Sequence, residues 1–168
     1  TLVIEPSESV KKILYKKYTR MKNYQIIVVE DSPSDALFTK IALEEIDDSL
    51  QIAWLQDGEE AINFLFPNSG QPLNQSEYKT IRIILLDLNL PKKDGREVLQ
   101  DIKTNPDLKR IPVVILTTSN AEQDIMHSYN LHANCYINKP VDFDKFFDVI
   151  EKIEEFWLST AILSTMIS

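Results

Sequence analysis

From position 25 onward, short apolar runs alternate with longer stretches whose apolar residues recur every three or four positions. Gln25–Val29, Gln51–Leu55, Ile81–Leu86, Pro112–Leu116 and Asn134–Ile137 have the length and β-branched content of strands. The run Ile81-Arg82-Ile83-Ile84-Leu85-Leu86 is apolar nearly throughout, the pattern of a strand buried on both faces. After the first strand, Ser32-Pro33-Ser34 opens a helix, with Ser32 as N-cap and Pro33 at the first helical position. Leu37, Phe38, Ile41 and Ala42 follow at helical spacing. Helices are also predicted over Glu59–Phe66, Glu97–Lys103, Glu122–Tyr129, and from about Asp142 to Trp157 or beyond. Asp57-Gly58 and Asn105-Pro106 punctuate the pattern, and Pro67–Lys79, rich in Pro, Gly, Asn and Ser, reads as a long loop. Five strands, each followed by a helix, predict an α/β doubly wound parallel sheet with helices on both faces.

Ligands of open α/β sheets bind beyond the carboxyl ends of the strands. There the first strand offers Glu30 and Asp31, and the third Asp87 and then Asn89. The fourth offers Thr117, with Thr118 and Ser119 behind it, and the fifth offers Lys139 before Pro140. Three carboxylates at two strand ends would repel one another, and a divalent cation is the simplest compensation. Mg²⁺ takes one or two protein carboxylates, waters and a phosphate oxygen. Lys139 would neutralise another phosphate oxygen as a point charge, and the Thr117 hydroxyl could donate to a third. Asp87 is then the nucleophile of an aspartyl-phosphate reaction. Each residue alone would be bland: strand-end aspartates form turns, acids favour helix N-termini, and Thr is common in strands.

Composition narrows the classes. The net charge of -8 argues against general nucleic-acid binding, which needs a basic surface. No apolar run approaches the roughly 18 residues of a membrane span, and the N-terminus lacks the apolar core of a secretory signal. Cys135 is the single cysteine, so no internal disulfide forms; a reducing cytoplasm fits. Cys135 itself reads as a small buried hydrophobe, and His127 and His132 match no metal or catalytic pattern.

In combination, four stretches carry a family resemblance. Val28-Val29-Glu30-Asp31-Ser32, Ile84-Leu85-Leu86-Asp87-Leu88-Asn89-Leu90-Pro91, Val114-Ile115-Leu116-Thr117-Thr118 and Asn138-Lys139-Pro140 resemble a response-regulator receiver domain, the CheY-like module of two-component signalling. The spacings agree, with Thr117 30 and Lys139 52 residues after Asp87. The resemblance covers about residues 24–157. It implies the flavodoxin-like strand order 2-1-3-4-5, with Asp87 as phosphoacceptor and Lys139 as phosphate-binding lysine before a cis peptide to Pro140. It implies Asp31 as direct Mg²⁺ ligand, Glu30 as a ligand through water, and the Asn89 carbonyl as a third protein ligand. Thr117 and Tyr136 become a switch pair. Many receivers carry Asp where this chain has Glu30.

More narrowly, residues 87–99, 105–114 and 128–136, the late Phe156-Trp157-Leu158 and the long loop are similar to response regulators of bacterial phytochromes. That similarity implies a phytochrome-type histidine kinase as phosphodonor. After the last strand and helix only about ten residues remain, too few for an output domain, so a stand-alone receiver acting through a changed interaction surface is expected. A dehalogenase-type phosphohydrolase also uses a strand-end Asp. It needs a second acid two residues on, where this chain has Asn89. An unphosphorylated scaffold is disfavoured by the intact acidic pair, Asp87 and Lys139.

The ends of the chain stand apart. Residues 1–22 form an N-terminal extension in which Val10, Ile13, Leu14 and Tyr18 are spaced for a short amphipathic helix among lysines, and Met21 could be a natural start. A non-native leader and an arm packing on a partner subunit both remain open. Residues 23–157 form the receiver, and 158–168 a tail continuing the last helix. The apolar surplus at Phe156, Trp157, Ile162 and Leu163 predicts an interface, read as a homodimer through the last two predicted helices and the fifth strand.

Overall fold

The computed structural model describes residues 23–67 and 72–167, so the expectations for residues 1–22 lie outside the described residues. Five parallel strands, β1 (Ile26–Val29), β2 (Ile52–Leu55), β3 (Ile83–Leu86), β4 (Val113–Thr117) and β5 (Cys135–Asn138), pair in the order β2-β1-β3-β4-β5. The helices are α1 (Pro33–Ile46), α2 (Gly58–Leu65), α3 (Gln75–Tyr78), α4 (Gly95–Thr104), α5 (Glu122–Asn130) and α6 (Phe143–Glu154).

Side chains of a strand point alternately to its two faces, and this alternation builds two cores. Ile27, Val29, Ile84, Leu86, Val113 and Ile115 pack with Ala61 and Leu65 of α2 and Val98, Leu99 and Ile102 of α4. Ile26, Val28, Ile83, Leu85, Val114 and Leu116 pack with Ala36, Ala42 and Leu43 of α1 and Phe146, Ile150 and Ile153 of α6. The central strands are buried throughout, as their unbroken apolar runs require. β5, at the sheet edge, is half-exposed, and α5 buries only Ser128. Cys135 is accordingly half-buried rather than buried, and His127 and His132 are exposed.

Local signals place the helix starts. The Ser32 hydroxyl accepts from the Asp35 amide with Pro33 at the first helical position, and Asp57 caps α2 by accepting from the Glu60 amide. Two stretches depart from expectation. The long loop contains α3, opened by a reciprocal Asn74–Glu77 capping box and held by the buried Leu73 and Tyr78. The tail does not continue as helix over 158–168. A wide helical turn spans Glu155–Thr160 and stops at the extended Ala161, and a short 3-10 turn follows over Ser164–Met166. Burial decides this: Leu158 and Leu163 enter the domain's own surface, and the Arg82 guanidinium donates to the Leu158 carbonyl.

At the amino edge of the sheet, Lys103 of α4 donates to the carbonyls of Ile111 (2.8 Å) and Lys109 (3.2 Å) and to Asn134 Oδ1 (2.9 Å). These acceptors carry no charge, and burial pushes the Lys103 ammonium down to about 8. The folded state therefore releases this proton near pH 8, while an unfolded lysine keeps it to about 10.4. Between those values the unfolded chain binds more protons, so stability contributed at this site rises with pH. Lys103→Met is expected to lose about 1–2 kcal/mol through the unpaired acceptors and to lack this rise. Urea unfolding of both proteins from pH 7 to 10 checks the sign.

Candidate functional site

The carboxyl edge of the sheet brings Glu30, Asp31, Asp87, Thr117 and Lys139 together. Leu86 pairs with Val29 on one side and Ile115 on the other, so parallel register alone sets the strand ends side by side. Asp87 is 6% exposed and is held by three donors. The Thr117 hydroxyl (2.8 Å) and the Asn89 amide (3.0 Å) donate to its Oδ1, and the Lys139 ammonium (3.0 Å) donates to its Oδ2. Glu30 is buried; its Oε1 accepts from the Ser32 amide at 3.0 Å and its Oε2 from Lys139. The Trp54 indole donates to the Glu30 carbonyl at 2.7 Å and fixes the end of β1. Asp31 is exposed, as is Asn89.

Charge balance is the dominant physical fact of this cluster. Burial pushes the Glu30 carboxyl up, to about 8; Lys139 opposes this and the Asp87 charge adds to it. Burial alone would lower Lys139, but Glu30 and Asp87 outweigh it and hold the ammonium above its ordinary value. One lysine thus serves more negative charge than it can neutralise. Carboxylate oxygens of Glu30, Asp31 and Asp87 lie within 4.8 Å of one another, an all-oxygen donor set of the kind hard divalent cations take. The residues present fit such a cation.

Sequence reasoning missed several contributors. Asp35, in the first turn of α1, places Oδ2 3.0 Å from Lys139 Nζ. Its only signal was its place one turn after Asp31, which a helix-dipole role explains equally well. Asn138 Nδ2 donates to the Ser119 (3.0 Å) and Thr118 (3.1 Å) carbonyls, gathering the loop after β4. Arg96 of α4 bridges Asp94 and Asp124. Asp124 also takes the Ser119 hydroxyl at 2.6 Å. The contacts of Asp35, of Asn138 and between Arg96 and Asp124 join segments distant in sequence, and no local pattern announces them. Gly95 sits against Asp87: a Cβ there would fall 2.1 Å from the Asp87 carbonyl oxygen.

Tyr136 is half-buried, and its hydroxyl donates to the Ser119 carbonyl at 2.8 Å. No cis peptide occurs among the described residues, so the bond to Pro140 is trans, contrary to the resemblance; trans is the lower-energy isomer of an X–Pro bond by about 0.5–1 kcal/mol. Of the expected interface residues, Phe156 and Ile162 are exposed and Trp157 is partly buried. Leu163 is 5% exposed, covered by its own chain.

Comparison with known proteins gives this edge its family. Residues 26–151 match the response regulator receiver domain. The chain belongs to that family. The chain is 46% identical over 143 residues to the response regulator Rcp1 of Synechocystis sp., covering 82% of this chain and 91% of Rcp1. Among solved structures, the phosphorylated cyanobacterial phytochrome response regulator RcpA superposes with a TM-score of 0.73 at 46% identity, covering 84% of this chain and 98% of RcpA. The Mn²⁺-bound form of Rcp1 gives 0.72 at 46% identity, covering 83% and 98%. The receiver family places the chain in two-component signalling, with a histidine kinase as the class of partner, and its relatives there include phytochrome response regulators. The phosphohydrolase alternative therefore falls away. Among the described residues, no helix is long and apolar enough to cross a membrane.

Proposed function

We propose that this receiver accepts a phosphoryl group on Asp87 from a phytochrome-type histidine kinase, with Mg²⁺, and signals through a changed surface. The observation that carries this reading is the convergence of Thr117 Oγ1 and Lys139 Nζ on the buried Asp87 carboxylate, at 2.8 and 3.0 Å. The phosphorylated RcpA and Mn²⁺-bound Rcp1 structures support it.

Asp31 would hold the cation directly, Glu30 through water, and Asp87 and the Asn89 carbonyl would complete the protein ligands. Held there, it would supply positive charge against the carboxylates and the incoming phosphoryl oxygens. An Asp87 oxygen attacks phosphorus, a new O–P bond forms, and the P–N bond to the donor imidazole breaks with its electron pair staying on nitrogen. Lys139 and Thr117 already aim N–H and O–H donors at this carboxylate, so positioning and charge neutralisation do the catalysis. Water later hydrolyses the acyl phosphate, which limits the signal in time. Phosphorylation redirects the Thr117 hydroxyl from Asp87 Oδ1 to a phosphoryl oxygen. Tyr136 must leave the Ser119 carbonyl to turn inward, so the pair shifts a population between two loop arrangements. Incubation with acetyl phosphate and Mg²⁺, followed by intact mass, tests the reading; a protein that gains no phosphoryl group refutes it.

Asp31→Ala is expected to weaken Mg²⁺ binding by about tenfold or more, in the range that loss of one charged ligand produces. Trp54 donates to the neighbouring Glu30 carbonyl and is the natural fluorescence reporter. An unchanged titration would remove Asp31 from the site.

The receiver, residues 23–157, works in the cytoplasm as a homodimer. Support comes from Met126 and Tyr129 of the weakly buried α5 and Phe156 and Ile162 of the tail, all exposed apolar side chains. Truncation after Glu155 should yield a monomer that still takes up phosphate, because the chemistry lies at the other edge of the sheet. Sedimentation of both proteins at micromolar concentration checks it, and a monomeric full-length chain, with and without acetyl phosphate, counts against the dimer.

A further inference from the structure

Lys139 has three N–H donors and no more. All three are committed: one to Glu30 Oε2, one to Asp87 Oδ2 at 3.0 Å and one to Asp35 Oδ2 at 3.0 Å. Two of these partners belong to the carboxylate set that can hold a cation, namely Glu30 and Asp87; Asp35 does not. Asp87 is also the group to be phosphorylated. When the chemistry draws on Glu30 and Asp87, the partner left to fix the ammonium is Asp35.

The helix fixes Asp35 in turn. Its amide is capped by the Ser32 hydroxyl at 3.4 Å, and its carbonyl accepts from the Thr39 hydroxyl at 2.8 Å. Its side chain is 34% exposed, against 4% for Lys139, so it stands at the mouth of the site and links the buried ammonium to solvent.

We propose that Asp35 is a positioning residue for Lys139, holding the ammonium at the Asp87 carboxylate during phosphoryl acceptance. This rests on the phosphoacceptor reading above. In the test reaction an Asp87 oxygen attacks the phosphorus of acetyl phosphate, the new O–P bond forms, and the P–O bond to acetate breaks with its pair leaving on acetate. Asp35 takes no part in those bonds. It keeps a Lys139 N–H pointed at the transferring phosphoryl oxygens, where loss of orientation is costly in rate.

The alternative sign is also physical. An anion beside an incoming anion repels it, and removing Asp35 on that ground alone would speed the reaction. The half-exposed position screens that repulsion, whereas misplacing a buried ammonium is not screened. Slowing is therefore the expected direction.

The experiment uses the full chain as wild type, Asp35→Asn, Asp35→Glu, Lys139→Met and the double variant Asp35→Asn/Lys139→Met. Asp35→Asn should lower the rate of phosphorylation by acetyl phosphate about fivefold, the size of a lost orientation of one charged donor. Asp35→Glu should restore at least half of it. In the Lys139→Met background Asp35→Asn should have no further effect, because there is no ammonium to position. Mg²⁺ affinity, followed by fluorescence, should stay within about twofold, since the carboxylate lies outside the cation set. Without metal, the urea midpoints of the two single variants should be non-additive in the double variant. An Asp35→Asn rate that is unchanged or faster overturns the proposal. So does an equal slowing in both backgrounds, or a tenfold loss of Mg²⁺ affinity. A wild type that takes up no phosphoryl group overturns the phosphoacceptor reading itself, while normal wild-type uptake with an unaffected Asp35→Asn overturns only the positioning role.

Discussion

Asp87→Asn should abolish phosphoryl uptake from acetyl phosphate, lowering the rate by about 10³-fold or more, as removal of a nucleophile does when only positioning remains. The substitution is nearly isosteric, and the amide oxygen can keep the Oδ1 place that accepts from Thr117 and the Asn89 amide. What changes is the other atom: an amide NH₂ then faces the Lys139 ammonium, donor to donor. Lys139 retains Glu30 and Asp35, so the ammonium is not stranded. The fold should therefore survive, and one negative charge leaves an over-charged cluster. Intact mass after acetyl phosphate and Mg²⁺ treatment gives the readout, with circular dichroism as the control for folding. Uptake of one phosphoryl group at the wild-type rate would place the acceptor elsewhere.

The second large effect is expected at a residue with no chemistry of its own. Gly95 begins α4 and donates its amide to the Leu88 carbonyl at 2.9 Å. A methyl group there would meet the Asp87 carbonyl oxygen at 2.1 Å, the Leu88 Cα at 2.7 Å and the Leu88 carbonyl oxygen at 2.9 Å. All three are backbone atoms, so no side chain can swing aside. Gly95→Ala must push α4 away from the turn after β3 or move the backbone that carries Asp87. Overpacking of this kind costs about 3 kcal/mol, and the strain falls on the site itself. We expect a lower urea midpoint together with slower phosphorylation, at least about tenfold, because a displacement near 1 Å costs that much or more in rate. A variant with wild-type stability and wild-type rate would show that the turn can yield, and the close approach would then have no functional weight.

Much of this molecule was legible along the chain, and the reasons are local. Strands buried on both faces must be apolar nearly throughout, so Ile26–Val29 and Ile83–Leu86 declare themselves without alternation. Ser32 with Pro33 marks a helix start because capping needs only neighbouring atoms, whereas Asp57 read only as punctuation and the structure makes it the cap of α2. Asp87 was marked as a nucleophile by standing where an apolar strand ends, and a parallel sheet puts such ends on one edge. The same local logic missed α3, whose Asn74–Glu77 capping box was present but lay within a stretch rich in loop residues. It also extended the last helix too far: the apolar tail continues the pattern, whereas the helical turn stops at Thr160 and Leu163 is buried beyond it.

What the sequence determined by itself was the order of strands and helices, the two apolar faces of the sheet, and a chemically coherent set of polar residues at strand ends. Tertiary structure alone decided how those residues share their bonds. Lys139 divides its three donors among Glu30, Asp35 and Asp87, which lie 109, 104 and 52 residues away. No periodicity reaches across such distances. The pairing follows from strand register and from the packing of α1 on its face of the sheet. Asp35 was therefore invisible as a partner of Lys139 until the fold carried the ammonium after β5 to within 3.0 Å of the carboxylate in the first turn of α1.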